Sequence, residues 1–413
     1  MAEESLSRGG RLLNHFVVAV CAFGLVVGAV KGTPYLAWVP IDLTVLCCAL
    51  LLLALLAHAL GRGASLRVLP GAIALVAVLV PPAIAGNPLG YRGEKVEGLL
   101  ITLLLVSASS FLVTGEQRRT LWVRYLALAG LLTAVGLAVL PPDPSQYGRA
   151  VLEGSNTIAA GRQTGMAVVI LATVVLSPAR PLARGVAAGL ALFAGVTMLA
   201  TGSRGPLLAV VLVFVLLALR SDRGGRALRL TLTAGLLAAG WLFLSTDQSA
   251  GSQRIQDSIT GEASGTATRQ PLWDAAVRYL GDPSHSLGGT GWGGFVQVMR
   301  AGELLPTGLT QYPHNVFLEV FVEGGWITGG AITVFILLST LRLWRLAKES
   351  ACLPLLALGA FSLVNASVSG DINDNRLLWV TLALSWTIPL LRDRSKGEIT
   401  RANCLSAPVL QNT

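Results

Sequence analysis

Tyr312-Pro313-His314-Asn315-Val316-Phe317-Leu318-Glu319-Val320-Phe321-Val322-Glu323-Gly324-Gly325 ends the one long polar segment of this 413-residue chain and opens an apolar helix. It sets an imidazole at a boundary between water and membrane, next to a helix start that Asn315 is suited to cap. Outward from this point the chain is 53% hydrophobic and 13% charged, with a mean hydropathy of +0.66. A soluble domain carries about 25% charged residues. Apolar runs approach the ~20 residues that cross a bilayer as a helix. The expected class is therefore all-α and polytopic.

Twelve spans are predicted, at about 12–30, 36–60, 68–86, 98–114, 121–140, 157–177, 186–201, 206–219, 230–246, 316–341, 351–369 and 377–391. The organisation that follows is nine transmembrane helices over 1–246, a polar loop over 247–313, helices ten to twelve over 314–391 and a tail over 392–413. The first run follows Arg8 and Arg11 but lacks a clear small-x-small cleavage site, so it is read as a helix and not as a leader. Inside the loop, Leu272, Trp273, Ala276, Val277 and Leu280 recur at helical spacing, which predicts an amphipathic helix along the membrane.

Charge assigns the faces. The loops 61–67, 115–124, 177–185, 220–229 and 342–350, with both termini, hold 20 of the 31 Lys and Arg and 7 of the 22 acids. The rest holds 11 basic and 15 acidic residues. Positive charge in short loops marks the cytoplasmic side. Both termini are expected in the cytoplasm, and the polar loop on the opposite face of the membrane. The net charge of +9 then reflects topology, not nucleic acid. Cysteines 21, 47, 48 and 352 lie in apolar runs, and no metal-ligand spacing appears. Polar residues gather at one face, whereas transporters usually bind near the midplane at a repeat interface.

On that face, Thr201-Gly202-Ser203-Arg204-Gly205-Pro206 turns between two runs of about 16 and 14 residues, too short for a hydrocarbon core of roughly 30 Å. The turn should sit slightly sunk, with Ser203 as N-cap and Arg204 as an anion ligand beside a helix N-terminus. Arg269 opens the amphipathic helix. Gly288–Phe295 reads as a turn that allows close backbone approach, since it lacks the strand context of a phosphate loop. His314 stands out among the four histidines for its helix start and for Glu319 and Glu323 that follow it. Arg204, Arg269 and His314 form the catalytic candidates. Ser203, Asn315, Glu319, Arg162 and Arg376 form the substrate-binding candidates.

Thr-Gly-Ser-Arg-Gly-Pro at 201–206, Arg269-x3-Trp273, Gly289-x-Gly-Trp-Gly-x-Phe295 and Pro313-His-Asn-x2-Leu-Glu-x3-Glu-x-Gly325, in this order, resemble the O-antigen ligase family, whose polymerase relatives share much of the pattern. The resemblance implies a membrane glycosyltransferase at the periplasmic face. Its donor would be a glycan on undecaprenyl diphosphate, and its acceptor a hydroxyl of lipid A-core or of another glycan. No metal, nucleotide sugar or other cofactor is implied. The family's essential arginines map onto Arg204 and Arg269, its essential histidine onto His314, and its polar turn before the last span onto 370–376. A carrier of lipid-linked oligosaccharide without catalysis is the expectation from another class.

Overall fold

A computed structural model describes residues 8–36, 38–62, 70–85, 91–140, 143, 149–177, 179–220, 269–282, 287–302 and 312–389, with isolated positions at 234, 245, 253, 255 and 256. Among the described residues the chain is helical throughout: α1 (Arg8–Val30), α2 (Leu43–Arg62), α3 (Pro70–Ala85), α4 (Arg92–Leu112), α5 (Glu116–Val139), α6 (Thr157–Val175), α7 (Pro181–Ala200), α8 (Arg204–Leu219), α9 (Gln270–Leu280), α10 (Phe295–Ala301), α11 (Val316–Leu346), α12 (Leu353–Val368) and α13 (Arg376–Ser385). Seven of these are long and apolar enough to cross a membrane, and four more are shorter apolar helices. Together they coincide with eleven of the expected runs. The run at 230–246, most of the polar loop, His285 and the tail lie outside the described residues.

One boundary differs in a way that matters. α7 begins at Pro181 and has 20 residues. Proline suits the first turn of a helix, where its missing N–H costs nothing, so the helix starts earlier than the apolar run does. Its ~30 Å length matches the hydrocarbon core, and the sunken turn expected from two short spans loses half of its basis. α8, with 16 residues, remains short.

Arginines close the helix ends. At one end of the bundle Arg118 donates to Leu112 O, Arg184 to Val175 O, Arg220 to Ala347 O, and Arg342 to Ser385 O and Ile388 O. At the other, Arg92 donates to Ala83 O and Ile84 O, and Arg149 to Thr201 O. Each satisfies carbonyls that a helix C-terminus leaves open, where the dipole also favours a cation.

α11 is kinked at Gly325, whose φ of 72° and ψ of 178° fall outside the helical region. Gly289 packs against this kink, and a Cβ on it would lie 2.3 Å from Gly325 N, so the close approach expected of the glycine loop is present. Trp292 locks the loop to α3 by donating from Nε1 to Leu79 O at 2.7 Å. A small core of Leu272, Ala275, Ala276, Phe295, Val298, Met299 and Val322 then seats α9 and α10 on α11.

The most costly feature of the interior is ionic. Lys95 of α4, fully buried, pairs with Glu319 and, at 3.0 Å, with Glu323 of α11, both also fully buried. Glu323 accepts in addition from Gly293 N (3.0 Å) and Phe295 N (3.2 Å). Charges removed from water persist only when paired and hydrogen-bonded like this.

Candidate functional site

The site is built on the turn between α12 and α13. Gly370 takes φ 72°, and Asp371 Oδ1 accepts from Asn373 N (2.9 Å) and Asp374 N (2.7 Å), winding the chain back on itself. Tyr91 donates to Asp371 Oδ2 at 3.4 Å, and Asn373 Nδ2 donates to Lys95 O at 2.9 Å. The turn is thereby fixed to α4.

Two arginines dock on the carbonyl end of α12 below this turn. Arg162 of α6 donates from Nη2 to Ser369 O at 2.7 Å and Asn365 O at 3.4 Å, and from Nη1 to Asp374 O at 3.3 Å. Arg269, preceding α9, donates from Nη1 to Val368 O. Gly370 makes room here, since a Cβ on it would lie 3.0 Å from Arg162 Nη2.

The histidine arrives from the other side. Trp273 of α9 donates from Nε1 to Pro313 O at 2.8 Å, tying the helix that follows Arg269 to the residue before His314. His314 has φ 55°, the only positive value on a non-glycine side chain among the described residues. This left-handed step reverses the chain before α11 and stacks Tyr312 on His314, with ring centroids 4.5 Å apart at 60°. Burial, then nearby Asp374, pushes the Tyr312 phenol well above its ordinary value and keeps it neutral. Asn315 caps α11, accepting from Phe317 N (2.9 Å) and Leu318 N (3.2 Å).

These elements surround a cavity of about 740 Å³, whose lining includes Lys31, Arg162, Arg269, Tyr312, His314, Asn373, Asp374 and Arg376. One wall is apolar, from Leu25, Ile158, Met166, Phe361 and Leu377. Asn375, Arg376, Leu377 and Leu378, the first turn of α13, face it with a helix N-terminus, and the Arg376 Nε–H is buried there without a hydrogen-bond partner among the described residues. Lys31 pairs with Asp42 at 2.7 Å, a hydrogen bond that holds the Asp42 carboxyl down to about 2. Cations, one imidazole and a partly apolar wall suit a ligand with phosphate groups and a lipid portion.

Arg162, Arg269, His314 and Arg376 from the sequence reading thus meet in one cavity. Arg204 begins α8, half-buried, and does not line it. Ser203 occupies the N-cap position of α8 but does not cap it, because its hydroxyl donates to Thr157 O at 2.6 Å, beneath α6 where Gly161 leaves room. Asn315 is spent on the cap and Glu319 on Lys95. Lys95 was missed, whereas Tyr312, Asp371 and Asn373 lay in stretches the sequence reading singled out, at 312–325 and 370–376, without being given a place among the site residues. The signal for Lys95 was present: Glu319 and Glu323 share one face of an apolar helix and need a cation from another. Among the described residues no group of three or more His, Cys, Asp or Glu could hold a metal ion.

The fold and the cavity define an all-helical membrane protein with a cation-lined pocket at one end of its bundle. Residues 188–333, from within α7 to within α11, match the family model described as O-antigen ligase. The motifs at 201–325 that carry the resemblance fall inside this match, which supports the O-antigen ligase family for this region. No curated protein and no solved structure matches the chain.

Proposed function

We propose that the chain is an inner-membrane glycosyltransferase of the ligase kind, moving a glycan from undecaprenyl diphosphate to a sugar hydroxyl of lipid A-core. The observation that carries this reading is the meeting of Arg162, Arg269, Arg376 and His314 in one cavity with an apolar wall. Arginine forks hold phosphate oxygens bidentately and stay charged. Fixed in a partly dry pocket, they stabilise the negative charge that grows on a leaving diphosphate. The imidazole of His314 accepts the proton of the acceptor hydroxyl as its oxygen bonds to the anomeric carbon. The bond from that carbon to the diphosphate oxygen breaks, the pair of electrons leaving with the diphosphate. Attack opposite the leaving group inverts the anomeric centre.

The charge partition supports a periplasmic site with both termini cytoplasmic. Cysteine-accessibility labelling at position 285 in intact cells tests it, and a cytoplasmic signal there would overturn the orientation. A polymerase, taking a second lipid-linked glycan as acceptor, would use the same donor chemistry. Purified protein given a donor with either lipid A-core or lipid-linked repeat units separates the two. Absence of transfer to both, with donor still bound, would favour the carrier.

A further inference from the structure

We infer that Lys31 is a switchable phosphate ligand, held by Asp42 at the cavity rim and released to a phosphate of an incoming lipid-borne substrate. The ligand class rests on the function proposed above. Lys31 lines the same cavity as Arg162, Arg269 and Arg376. Its backbone is immobilised, because Ser155 donates to Ala29 O at 2.7 Å and Gly32 abuts Gly154, where a Cβ would lie 2.0 Å from Gly32 O. Its side chain is another matter. Arg162 and Arg269 are anchored on carbonyls of α12, whereas the Lys31 ammonium is paired with an exposed carboxylate, the two side chains being 41% and 44% exposed. Such a pair contributes little and is readily exchanged. Asp42 loses little on release, since its Oδ1 accepts from Thr44 N at 2.7 Å and Val45 N at 3.3 Å at the start of α2, a site that favours negative charge. A phosphate among three guanidiniums is the stronger partner, and an ammonium on a flexible stem can follow it.

The two partners should then act in opposite directions. Binding of undecaprenyl diphosphate without a glycan, and separately of lipid A-core, is measured on full-length protein in nanodiscs of zwitterionic lipid. Lys31→Gln should weaken binding about tenfold, the loss of one charged hydrogen bond. Asp42→Asn still caps α2 but frees Lys31, and should tighten binding several-fold. Lys31→Gln/Asp42→Asn should behave as Lys31→Gln alone. A shift confined to undecaprenyl diphosphate assigns the phosphate to the donor, and one confined to lipid A-core assigns it to the acceptor. Equal weakening by both single variants, or no change in either, overturns the switch. Failure of glycan transfer alone would overturn the proposed function and leave this result standing.

Discussion

Arg162 and Ser369 are joined by a 2.7 Å hydrogen bond across α6 and α12, one residue beyond the carbonyl of Val368 that Arg269 engages. One helix C-terminus therefore seats two guanidiniums. The negative end of the dipole offsets part of their mutual repulsion, and the carbonyls fix which way each fork turns. Neither arginine has to be ordered when an anion enters, so less conformational entropy is lost on binding.

Arg162→Lys and Arg269→Lys should each raise the donor KM about tenfold or more, because an ammonium cannot hold a carbonyl and a phosphate with one planar fork. Arg204→Lys should cost less, since Arg204 lies outside the cavity lining. The turn at 201–206, expected to sit sunk, also loses half of that basis because α7 has 20 residues. Initial rates of purified variants against donor concentration check this, and a larger defect at Arg204 would overturn the ordering.

What the sequence made legible follows from periodicity and punctuation. Long apolar runs predicted eleven of the described helices, Asn315 announced its cap, and Gly288–Phe295 announced a close backbone approach. What stayed hidden was pairing over long sequence distance. Lys95 meets Glu319 across 224 residues, and Arg162 meets Ser369 across 207. No local pattern encodes such a contact, so Arg162 could be proposed as a ligand but not placed. Ser203 failed for a related reason: capping propensity is local, whereas the Thr157 carbonyl that claimed its hydroxyl comes from another helix.

Lys95 holds two carboxylates in a fully buried setting, and removing it strands both. Lys95→Met should destabilise the protein by about 3–5 kcal/mol, the cost of breaking a buried ion pair from one side. Glu323→Ala should fall in the same range, since it also orphans Gly293 N and Phe295 N and loosens the seat of α10. Thermal unfolding in detergent reads both. A variant within experimental error of the parent would show that water enters the cluster and solvates the remaining charge.

Asp42 supplies a pH test. Its carboxyl is held at about 2 against an ordinary 3.8, chiefly by the Lys31 hydrogen bond. A lowered carboxyl contributes stability that is present above about pH 4 and lost as pH falls through about 2. With both side chains more than a third exposed, the contribution is below ~1 kcal/mol. The difference in unfolding temperature between the parent and Asp42→Asn should therefore be small at pH 7 and shrink between pH 4 and 2. A difference that grows on acidification would contradict the assignment.

His314 combines a left-handed backbone with a place on the cavity wall, and the two properties can be separated by substitution. Asparagine adopts this conformation as readily as histidine does, whereas alanine adds strain. His314→Asn should thus insert and fold normally and keep the turn that leads into α11. It cannot accept a proton at neutral pH, so transfer should fall about 10²-fold or more, the usual contribution of a positioned acid–base group. Binding of undecaprenyl diphosphate should stay within a few-fold, because Arg162 and Arg269, docked on the α12 carbonyls, and Arg376 of α13 remain in place. His314→Ala should show the same catalytic loss with an added loss of stability. Near-normal transfer by His314→Asn would make the imidazole a turn residue only. The base would then be sought at Asp374, the carboxylate on the cavity wall, before Glu319 or Glu323, which are committed to Lys95.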